Sequence, residues 1–366
     1  MKAQKEYIYT QKQATRRKRW LVVLFVCCAL LWAGIIGCVL YAESILNLIN
    51  RADHEVLETM SEEAYQQLLA SLQETIPEDF TGEVMDESDV DWGEAQELLE
   101  TNDDVINILL IGQDTRSREE RSRSDTLILV TVNKSAKTIS LTSFMRDLYV
   151  QIPGYRDNRI NAAYVFGGMD LVNACLQKNF GVTVDGNIVV DFYGFMDIVN
   201  MMGGLDIELS AQEAQYMNEN FSWDVDDGED DTWNLTEGVN HLTGSQALSY
   251  ARMRNVGNSD YQRTERQRLV VSKLIEKAKA LNASELTLLL RHALPMIMTD
   301  MENAQMLGYA LELFPMLPDL EVNTLRIPVD GGYKSVFIDG MAVLLPNLGV
   351  NCLALENVML VQEESK

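Results

Sequence analysis

The sequence predicts an α/β domain, a mixed sheet covered by helices, standing behind one N-terminal transmembrane helix. Three observations predict it. Short β-branched and apolar runs follow one another between residues 105 and 144 with only loops between them. Helical runs then alternate with the later strand-like segments, the pattern of a sheet with helices packed on it. Residues 20–42 (WLVVLFVCCALLWAGIIGCVLYA) hold no charge at all.

That uncharged run spans about 34 Å as a helix at ~1.5 Å per residue, enough to cross ~30 Å of hydrocarbon. Trp20 and Tyr41 stand at its ends, where interfacial aromatics collect. Residues 1–19 sum to +6, which predicts a cytoplasmic N-terminus and an extracellular remainder. The run exceeds the ~7–15 apolar residues of a signal peptide, and Leu40-Tyr41-Ala42 is a poor cleavage site, so an uncleaved anchor is expected. Residues 43–104 sum to −18. Within them, 43–75 read as a stalk helix, and 76–104, with Pro77, Gly82 and Gly93, as a linker. The expected domain is 105–366, with a sum of −13.

Inside that domain Ile106–Ile111 is a strand stopped by Gly112, followed by strands over Asp125–Asn133 and Lys137–Phe144. Asn161–Asn179 reads as a helix, Asn187–Phe192 as a strand, Phe195–Met202 as a helix closed by Gly203-Gly204, and Leu205–Leu209 as a strand. Helices are expected at Thr243–Arg252, Asp260–Leu281, Glu285–Met298 and Asn303–Phe314. Strands near Asn323–Ile327, Ser335–Ile338 and Ala342–Leu345 finish the chain.

Much familiar chemistry is missing. The only histidines are His54, His241 and His292, too dispersed in sequence to suggest a metal site or a Ser-His-Asp triad. The chain lacks a Gly-x-Ser-x-Gly elbow, a phosphate loop and a Gly-x-Gly-x-x-Gly turn. A formal charge of −25 is unsuited to bare nucleic acid. The acidic run Asp224–Asp231 misplaces its glycine for an EF-hand and reads as a solvated loop. Cys27, Cys28 and Cys38 fall in the apolar span, and the sequence leaves open whether Cys175 and Cys352 pair.

What stands out is arginine. Arg116, Arg118, Arg121 and Arg123 fall in one window, and Arg252, Arg254, Arg263, Arg266 and Arg268 in another. The planar guanidinium fork matches two phosphate oxygens, which lysine cannot do. Solvated helix faces explain Arg118, Arg121, Arg266 and Arg268 about as well. Asp114 and Asp125 flank a loop between neighbouring strands, so both carboxylates should reach one sheet end and suit magnesium. On Asp260–Leu281 the apolar stripe Val270, Leu274, Ala278, Leu281 extends backward to Gln267, Arg263 and Asp260. A face that should be buried thus turns charged near the helix N-terminus. Either an anionic ligand or an internal Asp260–Arg263 pair must compensate it.

The motifs Ile111-Gly112-Gln113-Asp114-Thr115-Arg116, Arg123-Ser124-Asp125-Thr126, Ser143-Phe144-Met145-Arg146-Asp147 and Arg159-Ile160-Asn161-Ala162-Ala163-Tyr164 follow in order. So do Ala247-Leu248-Ser249-Tyr250-Ala251-Arg252-Met253-Arg254 and Asp260-Tyr261-Gln262-Arg263-Thr264-Glu265-Arg266-Gln267. Together they resemble the LytR-CpsA-Psr (LCP) family of membrane-anchored cell-wall ligases. The family usually has proline at Met145, and often lysine at Arg159, which keeps the charge. The resemblance implies a three-layer α-β-α domain with a mixed β-sheet and a hydrophobic prenyl tunnel. It implies a phosphotransferase moving a phosphate-linked glycopolymer, such as teichoic acid or capsule, from undecaprenyl-pyrophosphate to peptidoglycan. A non-catalytic polyprenyl-phosphate sensor is the alternative. Carried over, Asp114 and Asp125 would bind Mg2+. Arg123, Arg146, Arg159, Arg252, Arg254, Arg263 and Gln267 would hold the pyrophosphate. Asp260, Arg146 and Arg263 would act in catalysis, with Asp260 helping to deprotonate the acceptor hydroxyl. Tyr164, Phe166, Met169, Phe192, Phe195, Met196, Met201 and Met202 are candidates for the tunnel wall, though such residues are more often plain core.

Overall fold

The computed structural model describes residues 36–51, 62–71, 73–77, 80–93, 104–113, 124–220, 233–257 and 259–359. The chain divides into two units, Met1–Leu48 and Ile49–Lys366. In the first, residues 36–46 are helical, and Ile36, Val39, Leu40 and Tyr41 are exposed. Among the described residues no helix is long and apolar enough to cross a membrane. Most of the expected span, and the Asp224–Asp231 loop, lie outside the described residues.

The second unit runs Asn50–Arg51 (β1), Glu62–Ser71 (α1), Glu83–Met85 (β2), Val105–Gln113 (β3), Ser124–Asn133 (β4) and Thr138–Phe144 (β5). The small hairpin Tyr149–Val150 (β6) and Asn158–Arg159 (β7) leads into Ile160–Phe180 (α2). Next come Gly186–Val190 (β8), Phe192–Met201 (α3), Leu205–Leu209 (β9), Ala211–Glu219 (α4), Gly238–Leu242 (β10), Gly244–Arg252 (α5) and Ser259–Lys279 (α6). The chain finishes with Ala283–Ala293 (α7), Ile297–Thr299 (β11), Asn303–Leu313 (α8), Glu321–Ile327 (β12), Tyr333–Ile338 (β13), Met341–Pro346 (β14) and Leu348–Met359 (α9).

Seven strands make the main sheet, in the order β1-β11-β8-β3-β4-β5-β12. The β3–β4–β5 meander is antiparallel, while β8 joins β3, and β12 joins β5, in parallel. The sheet is therefore mixed, as predicted. Alternation along the strands supplies two faces. Leu109, Ile111, Leu127 and Leu129 pack with Ala163, Val172 and Leu176 of α2 and Leu355 of α9. Ile106, Ile128, Val132, Ile139 and Leu141 face the other way, against Val271 and Ile275 of α6 and Tyr309 and Leu313 of α8. Three layers result. A satellite core under α3, β9, α4, β10, α5 and α6 holds Val199, Leu205, Ile207, Tyr250 and Val270.

The expected boundary at Val105 lies inside this folded unit. Asn50 and Arg51 extend the main sheet, and β2 pairs with β13. Tyr65 of α1 is buried against Tyr155 and Phe166, with ring centroids 5.5 and 5.2 Å away. Trp92 stacks on Tyr149 at 5.7 Å. The acidic residues of the expected stalk and linker meet arginines of the domain: Glu74 with Arg159 at 2.6 Å and Glu87 with Arg156 at 2.8 Å. Cation partners distant in sequence, rather than water alone, receive these carboxylates.

Other differences have local causes. Asp191 caps α3 by accepting from the Gly194 amide at 2.7 Å, so the strand expected through Phe192 ends at Val190 and the helix starts early. Pro295 has no amide donor, and the helix expected through Met298 stops at Ala293. In α2 the helix is broken at Gly168, whose φ of 64° and ψ of −152° belong to a region only glycine visits readily. We expect Gly168→Ala to cost about 1–3 kcal/mol in urea unfolding.

Candidate active site

Between β3, β4 and β8 on one side and α3, α5 and α6 on the other lies a cavity of about 450 Å³. Its wall is apolar, with Leu110, Ile128, Val190, Phe192, Phe195, Leu248, Val270 and Val271. Its polar lining includes Asp125, Arg252, Arg254, Asn255, Arg263 and Gln267. The sheet positions this arrangement. Leu110 and Ile128 point to the α6 face, and Asp125 stands one residue into β4 where its pairing with β3 begins. The helix α6 brings Asp260, Arg263 and Gln267 along one stripe ending at the buried Val270, as its sequence predicts.

The charges form a closed arrangement. Arg146, just past β5, lies 3.3 Å from Asp125, 3.3 Å from Asp147 and 3.6 Å from Asp260. Arg254 lies 3.7 Å from Asp125 and 3.6 Å from Asp260. Arg263 reaches Asp260 at 3.0 Å. Two carboxylates are thus bridged by two guanidiniums, with a third behind. The Arg263 side chain is 2% exposed, and its Nε and Nη1 have no hydrogen-bond partner among the described residues. Burial pushes its pKa down to about 10. Arg146 and Arg254 press the same way, while Asp260 and Asp125 oppose them. Arg146 is also pulled down by burial, but Asp147, Asp260 and Asp125 outweigh that and raise it. Asp260 thus engages one nitrogen of Arg263, and an anion entering there would meet the two donors left free.

Arg252 ends α5 and stacks over the Phe192 ring at 4.2 Å, joining the charged lining to the apolar wall. Gln267 is buried and lines the cavity beside Arg263. Arg159 stands apart from the others and is absent from the cavity wall. Its guanidinium donates to the Ala342 carbonyl at 2.8 and 3.0 Å and pairs with Glu74 at 2.6 Å. It touches the cluster only through Asp147, which lies 3.8 Å from it and 3.3 Å from Arg146. Asp114 and Arg123 lie outside the described residues, as do Arg116, Arg118 and Arg121. Among the described residues no group of three or more His, Cys, Asp or Glu could hold a metal.

Of the tunnel candidates, Phe192 and Phe195 line the cavity. Tyr164, Phe166 and Met169 instead belong to the core on the opposite face of the sheet. Met196, Met201 and Met202 are not part of the cavity wall. Cys175 and Cys352 are buried free thiols.

Sequence reasoning missed what Arg266 does. It is buried, pairs with Glu213 of α4 at 2.8 Å, and donates to the Met253 and Val256 carbonyls, each at 3.0 Å. The segment carrying Arg254 is thereby pinned to α6. The signal was faint: Ser210 and Glu213 form a capping box, which announces α4 but not its partner.

Known proteins share this architecture. A transferase from Enterococcus faecalis, named polyisoprenyl-teichoic acid–peptidoglycan teichoic acid transferase TagU, is 34% identical over 186 residues, which is 50% of this chain and 56% of the relative. A Bacillus cereus protein of the same name is 35% identical over 191 residues, 52% of this chain and 58% of that one. The chain thus spans little more than half the length of the curated relatives it matches. The solved structure of TagT bound to LIIa-WTA aligns with a TM-score of 0.57 at 26% identity, covering 72% of this chain and 92% of that one. Bacillus subtilis TagV aligns with a TM-score of 0.56 at 25% identity, covering 71% and 98%. The LytR_cpsA_psr family model matches residues 65–347, from the buried Tyr65 of α1 to the end of β14 and so across the sheet, the cavity and the arginine cluster. With most of its length matched, the chain belongs to the LytR_cpsA_psr family.

Proposed function

We propose that this protein is a membrane-anchored phosphotransferase that moves a phosphate-linked glycopolymer from undecaprenyl-pyrophosphate onto peptidoglycan. The observation that carries this reading is one cavity with an apolar wall and, in its lining, the buried Arg263 guanidinium with two donors unused. A prenyl chain suits the wall, and a pyrophosphate suits the donors of Arg263, Arg254 and Arg252. Phosphoryl transfer needs positioning and charge neutralisation more than a covalent nucleophile, which accommodates the lack of a histidine-based triad.

In this mechanism Arg263 and Gln267 hold the pyrophosphate from the α6 side, and Arg146 and Arg254 from the other. The acceptor hydroxyl oxygen attacks the phosphorus that bears the polymer. The bond from that phosphorus to the bridging oxygen breaks, and the prenyl monophosphate leaves with the electron pair. Asp260 accepts the hydroxyl proton, its carboxylate held in place by Arg146, Arg254 and Arg263. Asp125 contacts its arginines only at 3.3 and 3.7 Å, so this hard oxygen donor stays available at the cavity. It fits magnesium, which usually binds through one or two carboxylates together with substrate phosphates. Asp125, with Asp114, would hold that ion, which when bound supplies charge neutralisation for the phosphates. The uncharged span at 20–42 and its basic flank support a single-pass anchor with the catalytic domain outside the cell.

The test is transfer of radiolabelled polymer from a prenyl-pyrophosphate donor to peptidoglycan fragments, with magnesium, by the full chain in detergent. Tight lipid binding without transfer from any donor would favour the non-catalytic alternative. Val271→Trp fills the apolar wall with ring atoms. It should weaken prenyl-pyrophosphate binding by about tenfold or more, measured by competition with a fluorescent prenyl lipid.

A further inference from the structure

A second buried arginine on α6 is not explained by the cavity. Arg268 is 9% exposed, its Nη1 has no hydrogen-bond partner, and it enters no ion pair among the described residues. An unpaired buried guanidinium is costly unless something negative reaches it. Its position follows from the packing. Val271 and Ile275 of α6 meet Ile139 and Leu141 of β5 and Val322 of β12. Arg268 is one turn before Val271, so it lies on the same stripe toward the N-terminal end of α6. Ser143 shares the face of Leu141, two residues further along β5, and Arg326 shares the face of Val322. Register pairs Arg326 with Ser143 directly. Ser143 is 1% exposed, and its Oγ has no partner either.

Electrostatics agree with this placement. Burial pushes Arg268 down to about 10, Glu265 opposes that, and Arg326 adds to it. Arg326 itself pairs through Nη2 with the exposed Asp330, donates from Nε to the Pro328 carbonyl at 3.1 Å and lies over the Tyr261 ring at 4.6 Å, while the Tyr261 hydroxyl donates to that of Tyr333 at 2.5 Å. An incoming anion would therefore take the place of the solvent-exposed Asp330 carboxylate at Arg326. Tyr261 adjoins Asp260, so this corner borders the reaction cluster while facing a different side of α6.

We propose that Arg268, Ser143 and Arg326 form an oxyanion subsite, separate from the Arg263 cluster, that takes a carboxylate or a phosphate group. Only the ligand's source rests on the proposed transferase activity: a carboxylate of the acceptor glycan, or a phosphate of the polymer. The site itself can be read without any transfer.

The experiment is thermal unfolding of the full chain in detergent, titrated with inorganic phosphate or with acetate at constant ionic strength. The Arg263→Ala chain serves as background, so the cavity cluster is already weakened. A saturable rise in Tm is expected there. Adding Arg268→Met should abolish it while raising the Tm without anion, because an apolar isostere replaces an uncompensated charge. Arg326→Gln should raise the half-saturating concentration about tenfold. Stronger response to acetate assigns the acceptor carboxylate, and stronger response to phosphate assigns the polymer. An Arg268→Met chain that responds as its parent does would overturn the proposal. Because no transfer is measured, loss of the transferase reading would leave this result intact.

Discussion

Arg263→Ala should lower kcat/KM for polymer transfer by about 10³-fold or more while leaving stability within about 1 kcal/mol of the parent. The two halves of this expectation have one cause. Arg263 is buried with two unused donors, a condition that weakens the folded state unless an anion is bound. Removing the guanidinium does not strand its partner, because Asp260 keeps Arg146 and Arg254 at 3.6 Å each. The lost methylenes of the side chain cost some packing, and relief of the desolvated cation offsets it. The transition state, by contrast, loses a preorganised charge at the phosphates, and arginines so placed are worth several powers of ten. Transfer assays and urea unfolding on the same preparation check both halves. Activity near that of the parent would remove Arg263 from the site, and a collapse in stability would make it a structural residue.

How much of this was legible before the structure depends on the element. The β3–β4–β5 meander was readable, since Ile106–Ile111 and the alternation in Thr138–Phe144 carry their own period. So was the polar end of the α6 stripe, because a charge on an apolar face demands a reason. The charge pattern could not separate a solvated arginine from a buried one. Arg266 and Arg159 are both buried, and each owes its role to residues far away in sequence: Glu213 and Ala342. The acidic segment before Val105 misled for the same reason, because its partners Arg156 and Arg159 stand about seventy or more residues further on. The terminal helix α9 went unseen because Asn351 interrupts its apolar side. That asparagine is buried and satisfied, donating to the Gly332 carbonyl at 2.7 Å and accepting from the Val329 amide at 2.9 Å.

Asp125→Asn should lower transfer by at least about 10²-fold, and what remains should no longer respond to magnesium. Asp125 has two separable duties. As a counter-ion it lies between Arg146 and Arg254, one carboxylate oxygen toward each. As an oxygen donor it is the described member of the expected metal pair. The amide keeps the shape and one acceptor oxygen but neither duty in full, since it carries no charge to hold two guanidiniums together or to bind a hard cation strongly. Arg146 retains Asp147 at 3.3 Å and Asp260 at 3.6 Å, so the loop after β5 stays anchored and unfolding should shift little. Magnesium titration separates the duties. Parent activity should rise from near zero as magnesium is added to chelator-treated protein. If Asp125 is the metal ligand, the residual rate of Asp125→Asn is flat across that titration. If Asp125 is a counter-ion alone, the variant is slow but keeps the parent's magnesium midpoint, and the metal must then be held elsewhere.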